Sequence, residues 1–163
     1  HYGAPYISCD TDYSGQGVDQ IEWIKTQLKN NPHSRQIILN SWNPTEVYNK
    51  NVALPPCHVL AQFIVDSTGK KLSCILYQRS GDMGLGIPFN IVSYSLLTIM
   101  LARECGLEPN TLHHNIGHAH IYMNHLDALT KQIQKKPKIF PQLFEDQIIG
   151  YKHRGVLRMK MAV

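Results

Sequence analysis

A thiol, a guanidinium beside a hydroxyl, an amide and an imidazole–phenol pair are the side chains of this sequence that could do chemistry together. Cys57 follows Pro55 and Pro56 and precedes His58 in "LPPCHVLAQF". Gln78, Arg79, Ser80 and Asp82 come in quick succession in "YQRSGD", Asn90 lies in "LGIPFN", and His120 and Tyr122 stand two apart in "GHAHIY". A guanidinium with a neighbouring hydroxyl suits a phosphate. An amide both donates and accepts, which suits a pyrimidine edge. A cation near a thiol favours the thiolate and makes it a nucleophile. The set fits a nucleotide and a covalent step. Each member also has a plainer use: Cys57 as a small packing residue, Arg79 as a surface cation, Asn90 as a helix cap, His120 as a structural histidine.

The elements that must hold these residues can be read from pattern. "GVDQIEWIKTQLKNNP" spaces Val18, Ile21, Ile24 and Leu28 as an amphipathic helix ended by Asn31-Pro32. "RQIILNSW" is short and apolar, as a buried strand is. "HVLAQFIVD" and "KLSCILYQR" flank Ser67-Thr68-Gly69-Lys70 and predict a hairpin. "PFNIVSYSLLTIMLAREC" is apolar on nearly every face and stops before Gly106, so it predicts a long central helix, buried, with a glycine cap. "TLHHNIGHAHIY" reads as extended, "NHLDALTKQIQKK" as a second amphipathic helix before Pro137, and "EDQIIGY" as a last strand ahead of a basic tail. The fold class is α+β: a mixed sheet packed with that central helix in one layered domain over residues 1–163.

Bulk composition narrows the function. At 163 residues the chain suits one domain, with 43% hydrophobic and 17% charged residues. No apolar run approaches the roughly 20 residues needed to cross a bilayer, and the first residues lack a signal-peptide pattern, so no membrane and a cytoplasmic location are expected. The four cysteines form no CxxC pair and are expected as free thiols, Cys74 and Cys105 packing the core. A net charge of +4 with five arginines suits a small anion better than DNA. His113, His114, His118 and His125 raise the question of a metal. A zinc site needs a defined ligand set, and strand alternation sends His113 and His114 to opposite faces, so none is expected.

"NSWNP", "ALPPCHVLAQF", "LSCILYQRSGDMGLGIPFNIVSYSLL", "IGHAHIYMNH" and the ending "MKMAV" together resemble thymidylate synthase, from the first residue to the last. The resemblance implies reductive methylation of dUMP to dTMP, with 5,10-methylenetetrahydrofolate as one-carbon donor and reductant. It implies Cys57 as the nucleophile on uracil C6, with Arg79 beside the thiolate and His58 in a water network near the ring. Gln78, Arg79, Ser80, Asp82, Asn90, His120 and Tyr122 would bind dUMP: Arg79 and Ser80 its phosphate, Asn90 the uracil edge, His120 and Tyr122 the ribose. Asp82, Leu85, Gly86 and the terminal Val163 would meet the folate. The resemblance also implies a homodimer, with Arg35 reaching across to the partner's phosphate.

Three departures from the family pattern carry expectations of their own. Gln36 stands where a second arginine is usual, which weakens the phosphate grip. His118 stands where the family has an aspartate. The resemblance begins well inside the family's usual length, so its N-terminal segment, with the arginine loop and the glutamate that organises proton transfer, is expected to be missing. Turnover would then need a completing segment, either an upstream stretch, such as a fusion with dihydrofolate reductase, or a separate chain. Two alternatives stand beside the enzyme: an inactive nucleotide-binding or dimerising homologue, and a pyrimidine nucleotide hydroxymethylase. Asn90 favours uracil over cytosine in any of them.

Overall fold

The computed structural model describes residues 3–5, 7–144 and 147–161. Helix α1, Gln20–Asn30, opens on Asp19, whose carboxylate accepts from the Ile21 and Glu22 amides and so satisfies donors left free at a helix start. Strand β1 is Ile38–Asn40, β2 is His58–Val65 and β3 is Lys71–Asp82. Helix α2 spans Gly86–Glu104, β4 spans Glu108–His120, a 3-10 turn Met123–His125 leads into α3, Leu126–Ile133, and β5 and β6 are Gln142–Phe144 and Gln147–Ile149. One sheet has the order β1-β2-β3-β4, with β3 and β4 parallel and the other pairs antiparallel; β5 and β6 form a separate hairpin. The mixed sheet with a long helix on it is the architecture expected.

Alternation builds the core. Ala61, Phe63 and Val65 of β2 and Leu72, Cys74 and Leu76 of β3 turn one way and are buried. Onto them pack Ile24 and Leu28 of α1 and Tyr94, Leu101 and Ala102 of α2. Lys25 of α1 lies 2.7 Å from Glu104 of α2 and ties the two helices. At the end of α2, Gly106 takes φ +70°, and the Leu107 amide donates to the Ala102 carbonyl at 2.8 Å, the glycine cap expected.

Three expectations are corrected. Helix α2 is buried on one stripe only; Phe89, Val92, Leu96 and Met100 form an outer apolar stripe that is exposed, because no described element packs against it. By length and composition α2 also suffices to cross a bilayer, contrary to the expectation that no segment does; its seating on β3 and β4 accounts for the apolarity of its inner stripe. Strand β1 is a short, half-exposed edge rather than a buried strand. Strand β5 had no sequence signal, being only three residues long after Pro141. Glu145 and Asp146, in the predicted last strand, lie outside the described residues.

Candidate active site

The site begins at an irregularity. His58 pairs with Gln78 but Leu60 pairs with Tyr77, so Val59 is an extra residue that bulges β2. Such a bulge re-aims the chain beside it. Cys57, half-buried, is thereby held against Arg79, whose amide donates to the Cys57 carbonyl at 2.8 Å. The Arg79 side chain then turns back on the approach to the cysteine. Its Nε donates to the Pro56 carbonyl at 3.0 Å and its Nη2 to the Pro55 carbonyl at 2.8 Å. Trp42 lies under the guanidinium, 5.5 Å from the ring centre. Among the described residues no hydrogen bond from Nη1 accompanies these two. A cleft of about 660 Å³, lined in part by Tyr13, Ser41, Glu46 and Leu54, borders the same proline segment.

Beside this cation runs a chain of amides. Gln78 is 2% exposed, and its Nε2 donates to the Ser80 carbonyl at 2.8 Å and to Asn90 Oδ1 at 2.9 Å. Its Oε1 meets His114 Nε2 at 2.9 Å. Asn90 is not a helix cap. The helix starts four residues earlier, with Pro88 in its first turn, where the missing N–H costs nothing. Asp82 accepts from the Gly84 amide at 2.9 Å and the Leu85 amide at 3.3 Å, so it shapes the turn that launches α2.

The far end of β3 gathers the remaining candidates. Asp82 pairs with His120 across the parallel ladder, and the Met83 amide donates to the His120 carbonyl at 2.9 Å. Tyr122 stands edge-on to His120 at 5.0 Å, and His118 lies 5.5 Å from His120 on its other side. His125 is fully buried, 3.6 Å from Asp82, and donates from Nε2 to the Lys160 carbonyl at 2.7 Å. Asn124 donates to the same carbonyl at 3.3 Å, so the C-terminal segment is clasped beside Asp82. Gly84 has no room for a side chain: a Cβ there would sit 2.6 Å from His125 Nδ1.

Not every candidate joins. Arg35 and Gln36 are exposed ahead of β1, near Gln62 and so toward the opposite end of β2 from Cys57. Val163 lies outside the described residues. His113 is exposed and His114 half-buried, as alternation predicted, and among the described residues no three metal-binding side chains converge. Burial pushes the Cys74 thiol up to about 11, eased slightly by Thr98, and raises that of Cys105, so both stay protonated and inert as packing residues.

Burial also holds His58 and His114 below the usual histidine value of 6.5. The unfolded chain therefore binds protons that the folded chain refuses once pH falls below about 6.5. Stability conferred by the neutral imidazoles is complete above that value and is lost as pH drops below it. The urea midpoint should fall between about pH 7 and pH 5, and less steeply in His58→Gln. A slope that His58→Gln leaves unchanged contradicts this assignment.

A family model described as thymidylate synthase matches residues 1–163. The chain belongs to the thymidylate synthase family. It is 52% identical to the bifunctional dihydrofolate reductase-thymidylate synthase of Paramecium tetraurelia, with all of this chain aligned to 37% of that protein. Identity is 50% to the thymidylate synthase of Ascaris suum and 48% to that of Homo sapiens, covering 59% and 55% of their lengths. The chain thus spans between about a third and three-fifths of these relatives. Within this chain, sequence pattern assigned no role to Trp42, to the Pro55 and Pro56 carbonyls, or to Gly84. It considered His114 and His125 only as metal ligands. Trp42 and the prolines stood in the quoted motifs, but a carbonyl acceptor has no signature in side-chain identity.

Proposed function

We propose that this chain carries the nucleotide site and the nucleophile of an enzyme that methylates dUMP to dTMP. The observation that supports this most is the Arg79 guanidinium gripping the two carbonyls that immediately precede Cys57. A phosphate-sized anion on the Nη1 side of Arg79, next to the Ser80 hydroxyl, orients a nucleotide toward the thiol. Cys57 Sγ adds to C6 of the ring. The electron pair of the C5–C6 bond moves onto C5 and the 4-carbonyl oxygen, where the Asn90 amide N–H meets the growing charge. C5 takes up the one-carbon unit and loses its proton, and Sγ departs as the C5–C6 double bond re-forms. The reduced folate, 5,10-methylenetetrahydrofolate, supplies the one-carbon unit and the hydride and leaves as dihydrofolate.

The residues present suit that folate. Asp82 keeps lone pairs beyond its two amide contacts and is half-exposed, so it can accept from pterin N–H groups, while half-buried Leu85 and Gly86 offer an apolar wall. The clasp of Lys160 by Asn124 and His125 brings the C-terminal segment to the same edge, which suits a closing role for Val163. His120 and Tyr122 would hold the ribose. A homodimer fits the sheet's outer face, where Ile38, Leu60, Ile64 and Tyr77 are all at least a third exposed on one side. In such a dimer Arg35, placed away from its own chain's site, serves the partner's phosphate. The bifunctional name of the Paramecium relative makes a reductase on the same polypeptide part of this proposal.

The test is tritium release from 5-tritiated dUMP with the folate, using the polypeptide in its full reading frame. Release with dTMP as product is expected. A 5-hydroxymethyl product supports the hydroxymethylase instead. No release with intact dUMP binding leaves the inactive homologue.

A further inference from the structure

We propose that His114 is a positioning residue that sets base preference by fixing, through Gln78, which way the Asn90 amide faces. The inference rests on the dUMP reading above and deepens it. Gln78 is buried, and a buried amide must pair every polar atom. The Ser80 carbonyl can only accept, so the atom facing it at 2.8 Å must be the Gln78 nitrogen. The same nitrogen reaches Asn90 at 2.9 Å, so Asn90 must answer with its oxygen. The Asn90 N–H pair is then turned away from Gln78, free for a ligand.

His114 locks the other end. Gln78 Oε1 can only accept, so the His114 Nε2 that meets it at 2.9 Å carries a hydrogen. Rotating the Gln78 amide would set oxygen against the Ser80 carbonyl and would drive the His114 proton to Nδ1, which is buried with no partner among the described residues. With both ends pinned, the direction of donation runs from His114 to Gln78, from Gln78 to Asn90, and from Asn90 outward. Bonds in such a chain polarise one another, which strengthens the last donor.

The outward group decides which base is accepted. An N–H suits the 4-carbonyl of uracil and opposes the 4-amino group of cytosine, while the second lone pair on Asn90 Oδ1 can take the uracil N3–H. Asparagine alone could present either end of its amide. Its orientation, held from β4 through β3, makes the choice. Loss of the His114 donor leaves Gln78 Oε1 buried without its partner, so that the Ser80 carbonyl alone then holds the amide against rotation.

The experiment measures dUMP and dCMP dissociation constants for the full-length wild-type protein, His114→Leu and His114→Gln. Wild type should prefer dUMP. His114→Leu should narrow that preference about tenfold, the effect of one lost hydrogen bond, and His114→Gln, whose amide N–H reaches a similar point, should recover most of it. An unchanged preference in His114→Leu overturns the proposal, as does a His114→Gln variant that folds normally yet behaves like the leucine. Nitrogen-15 NMR of the ligand-free protein gives a readout independent of nucleotide. A slowly exchanging Nε2 proton on His114 is expected, and its absence overturns the relay whatever the binding data show. If that proton is present but wild type binds neither nucleotide, the dUMP reading fails, and the preference proposal with it.

Discussion

Replacing Cys57 with serine should lower dUMP turnover by about 10⁴-fold or more while changing dUMP affinity by no more than about threefold. The step asked of this side chain is addition to an unactivated ring carbon, and a serine hydroxyl is a far weaker nucleophile than a thiolate. In the proposed site binding is assigned elsewhere, to Arg79, Ser80 and the Asn90 amide, so it should survive. Cys9→Ser, at an exposed site away from these contacts, is the control and should retain full activity. Turnover in Cys57→Ser within tenfold of wild type would remove the nucleophile assignment. Equal loss of binding and turnover would recast Cys57 as a structural residue.

The second large effect is expected at Arg79. Arg79→Lys keeps the charge but cannot hold the Pro55 and Pro56 carbonyls together, because an ammonium lacks the planar fork. Hydrogen bonds from a charged donor contribute about 1.5–3 kcal/mol each, so losing this pair is worth roughly 3 kcal/mol or more, about 100-fold. Impaired phosphate binding adds to it. The dUMP kcat/KM should therefore fall by about 10²–10³, with a raised KM and a lowered kcat, since the same fork positions the cysteine. A lysine variant with kcat/KM within threefold of wild type would mean that charge alone suffices.

Much of the fold was legible because local signals agreed. The β2–β3 hairpin showed in its alternation and in the turn where Gly69 takes φ +72°, and α2 in its predominantly apolar run ending before Gly106. The open outer stripe of α2 was not legible, since composition records that Phe89 and Val92 are apolar but not whether anything covers them. The site was legible as a set of residue types, and its convergence was not. Cys57 and Arg79 are brought together by a bulge at Val59, and bulges have no reliable sequence signature. On pattern alone Asn90 suits a helix cap; the true start of α2, set by Asp82 and Pro88, places it in the second turn instead. Gly84 is glycine because His125 fills the space, a constraint from a residue forty-one positions away. His114 looked like a metal candidate because histidine identity says nothing about the tautomer its neighbours impose.

The most direct test of the nucleophile assignment is the site of covalent attachment by 5-fluoro-dUMP. Fluorine cannot leave C5 as a proton does, so the ring stays bonded to the attacking sulfur once the one-carbon unit has been added. The full-length protein, incubated with 5-fluoro-dUMP and 5,10-methylenetetrahydrofolate and then digested, should show the added mass on the peptide containing Cys57 and on no peptide containing Cys9, Cys74 or Cys105. An adduct on another residue, or none in a preparation that binds the nucleotide, would contradict the account.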